Sequence, residues 1–145
     1  MKLFIILKPW LLVWVGVIGK DNEKILKYIL ENFEFPIIID ADGLNVLSKM
    51  DKSLLNKSKS KIILTPHLKE FERLTNIPID EIKPDRKKFA LDFAKKYNVI
   101  LLLKGATTIV TDGEQVIEVT KGCSGMSTAG SGDVLSGILV RNAWI

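Results

Sequence analysis

The stretch FPIIIDADGLNVL, Phe35 to Leu47, decides the fold. Ile37, Ile38 and Ile39 form a β-branched run with no polar alternation. Such side chains suit a pleated strand, and a run without alternation belongs to a strand buried on both faces. The run stops on Asp40 and Asp42, which predicts a polar loop after the strand. The following LNVLSKM reads as a short helix.

The same alternation continues on both sides. Towards the N-terminus, DNEKILKYILENF (Asp21 to Phe33) repeats Ile25, Leu26, Ile29, Leu30 and Phe33 at helical spacing. Towards the C-terminus, DKSLLNK reads as a short helix, and KIILTPH as a second buried strand stopped by Pro66. LKEFERLTN is a turn or two of helix. PDRKKFALDFAKKYN is an amphipathic helix with Pro84 near its start and Phe89, Phe93 and Tyr97 spaced by four. VILLLKG is a third buried strand, and TTIVTDGEQVIEV is two strands around an Asp-Gly turn. Helix and buried strand alternate, so the class is α/β, with a mainly parallel sheet flanked by helices. Ligands of such sheets gather beyond the carboxyl ends of the strands. Asp40 and Asp42, Thr65 and His67, and Lys104 and Gly105 all follow strands. The expectation is one site on one rim.

Composition narrows the function classes. At 145 residues, 47% hydrophobic and 26% charged, the chain reads as one globular domain. The net charge of +4 is modest. Its lysine-rich segment, Ser48 to Lys61, has no interleaved aromatics and no arginine, so a solvated face is expected and nucleic acid is not. The one cysteine, Cys123, excludes an internal disulfide and fits a reducing compartment, the cytoplasm. With one histidine and one cysteine, no zinc site is expected. The apolar N-terminus is interrupted by Lys8 and Pro9, and Trp10 to Gly19 is shorter than the roughly 20 residues that a bilayer span needs, so no membrane association is expected.

Near the C-terminus, GMSTAGSGDVLSGILV (Gly125 to Val140) carries four glycines, three of them before Asp133, which stands ahead of an apolar run. A helix starting near Gly132 has free backbone N–H groups and a positive dipole end, while glycines let a ligand approach closely. That combination suits a phosphate. Asp133 is then either an ordinary helix N-cap or a base aimed at an acceptor hydroxyl while the N–H groups hold the phosphate. No Lys-Ser/Thr follows the glycines, so this is not a Walker loop.

Four blocks together resemble a known family: PIIIDADGLNVL, ILTPHLKEFERL, LLLKGATTIVTDG and GMSTAGSGDVLSGIL. The last resembles the ribokinase-like superfamily. The set, in order and spacing, is similar to one branch, the ADP-dependent NAD(P)H-hydrate dehydratases (the YjeF C-terminal or carbohydrate kinase family). The resemblance covers Gly19 to Leu139, about half of the family domain. It implies the C-terminal half of a ribokinase-like fold, truncated at both ends. It also implies a lyase activity in metabolite repair. In that family ADP, with Mg²⁺, phosphorylates the ring hydroxyl of hydrated NAD(P)H, and loss of phosphate restores the reduced cofactor.

By the same resemblance Asp133 is the catalytic acid-base group at the substrate hydroxyl, and Gly132 lies against the nucleotide. Lys104, Gly105, Ala106, Thr107 and Thr108 match the nucleotide-binding block, with Thr107 in place of the family's histidine. His67 matches a substrate-binding histidine. Asp40, Asp42, Asn45 and Gly130 are supporting residues, the acids holding Mg²⁺ through water and not directly; loop capping is the alternative for them. Leu68 and Lys69 stand where the family has Pro-Gly, and Cys123 and Ser124 where it often has Asn-Pro. A fused epimerase domain and a homo-oligomer are further expectations. An ATP-dependent kinase for a sugar or vitamin precursor of the same superfamily, and a non-catalytic nucleotide-binding remnant, are the alternative functions.

Both ends depart from the family pattern. Residues 1–16 are expected to be a non-native, frame-shifted segment, and 17–145 a partial dehydratase domain. One choice of codons for Pro9 to Val15, read in a shifted frame, spells Met-Ala-Ile-Gly-Met-Gly, the family's strand and loop. A one-base deletion after Val140 likewise spells Gly-Met-Leu-Gly, a continuation of the last helix. Such a fragment is expected to leave central strands with bare edges and to have little or no catalysis alone.

Overall fold

The computed structural model describes the backbone of residues 5–8, 11–14 and 21–120, and the side chains of 21–120. Seven strands form one sheet in chain order: β1 (Ile5–Lys8), β2 (Leu11–Trp14), β3 (Ile37–Ile39), β4 (Ile62–Leu64), β5 (Ile100–Leu103), β6 (Thr107–Thr111) and β7 (Val116–Thr120). The four central strands, β2 to β5, run parallel; β1 and the β6–β7 hairpin are antiparallel additions at the two sides. The sheet is therefore mixed. The expected bare edges on central strands are not found, because β3, β4 and β5 are each paired on both sides.

The helices are α1 (Asn22–Asn32), α2 (Asp42–Lys49), α3 (Leu54–Lys57), α4 (Leu68–Thr75), α5 (Ile79–Ile82) and α6 (Arg86–Tyr97). A 3-10 turn, Lys83–Asp85, leads into α6 and contains Pro84. Successive crossovers all step the same way across the sheet, so one handedness puts the helices on one face. The core reflects this: Ile37, Ile39, Leu64 and Leu101 share one buried cluster with Leu26, Leu47, Phe71 and Phe93 of the helices. Ile38, Ile63 and Leu102 point to the other face and are also buried. An isoleucine run buried on both faces is thus what the apolar stretch specified, at about 1.5–3 kcal/mol per side chain.

In α1, Leu26, Ile29 and Leu30 are buried, whereas Ile25 at the margin of the stripe is 37% exposed. In α6, Phe93 packs edge-on against Phe71 of α4 at 5.4 Å. Asn76 and Asn98 end α4 and α6 in the left-handed conformation, which asparagine tolerates. The hairpin turn holds Gly113 at φ 95°, where an added Cβ would fall 2.7 Å from the Lys95 backbone of α6. Glycine is required there for both torsion and space.

Candidate functional site at the carboxyl ends of the strands

The expected loop between β3 and α2 hardly exists. The chain passes from Ile39 to the first turn of α2 through Asp40 and Ala41 alone. Ala41 sits at φ 49°, ψ −121°, a conformation that L side chains rarely adopt. Three bonds hold it. Ala41 N–H donates to Asp40 Oδ1 at 2.8 Å. Gly43 N–H reaches the Asp40 carbonyl, and Leu44 N–H the Ala41 carbonyl, each at 3.0 Å. Strain of this kind persists only where surrounding structure enforces it, and it concentrates at functional sites.

Asp40 also meets Lys104. Lys104 Nζ lies 3.2 Å from Asp40 Oδ1, and both side chains are about one-third exposed. Their strands, β3 and β5, are separated by β4, a span of roughly 10 Å in a sheet. The long lysine side chain therefore reaches over the end of β4. The backbone completes the rim: Lys104 N–H donates to the Pro66 carbonyl at 2.9 Å, and Thr65 N–H to the Ile39 carbonyl at 3.2 Å. The exits of β3, β4 and β5 are thus linked to one another.

His67 begins α4 and caps it. Its Nδ1 accepts the Glu70 N–H at 3.2 Å, while its own backbone N–H donates to Glu70 Oε2 at 2.8 Å. Nε2 lies 3.3 Å from Glu70 Oε1. With Nδ1 accepting, the ring proton belongs on Nε2. Glu70 is buried, and the His67 ring is half-exposed with both nitrogens held by that one residue. Leu68, in place of the family's proline, packs partly buried against the core as the first residue of α4.

Other expected residues are placed differently. Asp42 is exposed in the first turn of α2. Asn45 is taken up in tying α2 to α4, its Oδ1 accepting from Arg73 Nη1 at 2.9 Å. Gly105 and Ala106 are exposed between β5 and β6, Thr107 is half-buried, and Thr108 is buried in β6. Gly130, Gly132 and Asp133, like Cys123, lie outside the described residues. Sequence reasoning missed Arg86, whose Nη2 donates to the Thr107 carbonyl at 2.6 Å. Its distance along the chain from the loop left no signal.

The donor set does not fit a protein-held Mg²⁺. One Asp40 oxygen already serves Lys104 and the Ala41 N–H. Among the described residues, no group of three or more His, Cys, Asp or Glu could hold a metal. An open cleft of about 740 Å³ lies at the opposite end of the sheet, between Ser58–Lys61, Asn98 and the hairpin turn. It has no contact with the rim residues. No described helix is long and apolar enough to cross a membrane.

The chain is 40% identical over 117 residues to the bifunctional NAD(P)H-hydrate repair enzyme of Moorella thermoacetica, covering 79% of this chain and 22% of that protein. It is 33% identical to the ADP-dependent (S)-NAD(P)H-hydrate dehydratase of Staphylococcus aureus, covering 86% of this chain and 44% of that one. Among solved structures it is similar to the ADP/ATP-dependent NAD(P)H-hydrate dehydratase of Bacillus subtilis, co-crystallized with ATP/Mg²⁺ and soaked with CoA. There the identity is 26% and the TM-score 0.64, over 81% of this chain and 42% of that one. A ribokinase-like superfamily protein of Enterococcus faecalis shares the fold, with TM-score 0.67 at 24% identity over 90% of this chain and 45% of that one. The chain thus spans less than half the length of these relatives. The family model described as NAD(P)H-hydrate dehydratase matches residues 13–141, and the chain belongs to that family.

Proposed function

We propose that this chain carries the nucleotide-binding half of an ADP-dependent (S)-NAD(P)H-hydrate dehydratase, a cytoplasmic enzyme that repairs nicotinamide cofactors. The observation that carries the reading is the rim: Lys104 reaches over β4 to Asp40, beside the Lys104–Thr108 block. Asp40 keeps the ammonium in place until a diphosphate draws it away. Backbone N–H groups ahead of Asp133 bind the transferred phosphate. Asp133 takes the proton of the substrate's ring hydroxyl as that oxygen attacks the β-phosphorus of ADP and AMP leaves. Phosphate then departs from the ring carbon, a proton leaves the neighbouring carbon, and the double bond of the reduced nicotinamide is restored. His67 offers the half-exposed face of its ring to the substrate, since Glu70 occupies both nitrogens. Mg²⁺ would travel with the nucleotide phosphates, and no step is assigned to it.

We also propose that residues 1–16 and those after Val140 are frame-shifted and that the chain alone has little or no catalysis; the family match, by contrast, spans residues 13–141. A companion epimerase domain is supported by the name bifunctional in relatives such as the Moorella protein. No observation favours the kinase reading.

The test is to add hydrated NADH and ADP to the purified chain and follow the return of reduced-nicotinamide absorbance. A low rate, abolished in Asp133→Asn, is expected. A chain that binds no ADP, or one that prefers ATP with a sugar alcohol, would overturn the reading. Sequencing the gene tests the ends, which stand only if the shifted frames encode the family peptides.

A further inference from the structure

We propose that Arg86 is the positioning residue of the Lys104–Thr108 block, holding it in the shape that receives the nucleotide diphosphate. The proposal rests on the reading of that block as nucleotide-binding. Arg86 is the first residue of α6, yet its guanidinium reaches past the 104–106 loop to Thr107, the first residue of β6. Nη2 donates to the Thr107 carbonyl at 2.6 Å. The guanidinium plane also lies against Gly105: an added Cβ there would fall 2.6 Å from Nη2 and 3.1 Å from Cζ. Among the described glycines only Gly113 has a positive φ. Gly105 is therefore not glycine for torsion, and a side chain there would have to displace the Arg86 guanidinium.

Helix stability does not explain this placement. The first turn of α6 holds no acid, and Arg86 is followed there by Lys87 and Lys88. Cations at a helix N-terminus oppose its dipole. Arg86 Nε is buried with no partner in the described structure, which is costly for a charged group. What the arginine gains is the loop. Fastening the Thr107 carbonyl fixes the peptide at which the loop enters β6, where Thr107 and Thr108 pair with Thr120 and Val119 of β7. Clamping over Gly105 restricts the exposed Gly105–Ala106 pair, whose ordering would otherwise be part of the cost of binding. A lysine has a single ammonium point and no flat face to lie on a glycine.

The test compares the full chain with Arg86→Ala, Arg86→Lys, Gly105→Ala and the Arg86→Ala/Gly105→Ala double variant. Hydrogen exchange of amides 105–108 is read without nucleotide, and ADP affinity by calorimetry. Each single variant is expected to lose protection across 105–108 and to weaken ADP about tenfold. The double variant should be no worse than either single one, because both break one contact. Millimolar methylguanidinium should recover part of the ADP affinity of Arg86→Ala, which a general loss of packing would not allow. Wild-type exchange at 105–108 in Arg86→Ala, or additive losses in the double variant, would overturn the role of Arg86. Absence of ADP binding by the unmutated chain would instead sink the nucleotide reading, and the exchange data would still decide whether Arg86 fastens the loop.

Discussion

Ala41 bears the strain of the strand-to-helix turn at φ 49°. Such a residue stores about 1–3 kcal/mol, and glycine gives back about 0.5–1 kcal/mol in chain entropy. Ala41→Gly is therefore expected to stabilise the chain by about 1 kcal/mol and to raise its melting temperature by a few degrees; an unchanged or lower melting point in a thermal scan would contradict the strain. Asp40 was legible as a residue of the rim from its place after an apolar run, and the turn of Asp42 to solvent was not. Nor was the Asp40 ion pair. The partner of Asp40 lies 64 residues away, and only the sheet brings Lys104 across β4 to meet it. Arg86 was hidden for the same reason, 21 residues from the carbonyl it holds.

At the level of elements, α4 shows how one histidine caps a helix. His67 caps the helix through Nδ1, so His67→Ala should cost about 1 kcal/mol, whereas His67→Asn, a favoured cap, should melt close to the parent. If both variants melt alike, the cap contributes nothing. If substrate affinity falls in both, the ring has its own role beside the cap. The hairpin turn between β6 and β7 titrates in acid. The N–H groups of Gln115 and Glu114 donate to Asp112 and hold its carboxyl below the ordinary value of 3.8. Its contribution to stability is thus fully present above that value and lost as pH falls through the lowered one. Asp112→Asn should flatten the acid limb of melting temperature against pH below about pH 4, and a limb as steep as the parent's would exclude the turn as its source. The strands from Ile37 onward and the long helices were readable because apolar runs and helical spacing declare them, whereas β1 and β2 fall in the segment expected to be non-native. α5 and the turn at Pro84 were not readable, since four residues show no period.

On the scale of the whole molecule, the described sheet keeps its parallel strands in the centre and ends on β1 at one side and β7 at the other. Ile117 on β7 is 57% exposed, on the same face as Val110 and Leu102. Edge strands with apolar side chains recruit other chains. Ile117→Lys should raise the soluble monomeric fraction seen by size-exclusion chromatography; an unchanged profile would show that this strand recruits no second chain. The α/β class was legible, as was the rim, because both follow from alternation. The order of the strands was not written in any motif, and it has a consequence for synthesis. Every described strand lies beside the one made just before it. A ribosome releasing this chain therefore delivers each new strand to a neighbour already waiting, and the sheet can lengthen as it emerges, with no early strand kept idle for a late partner.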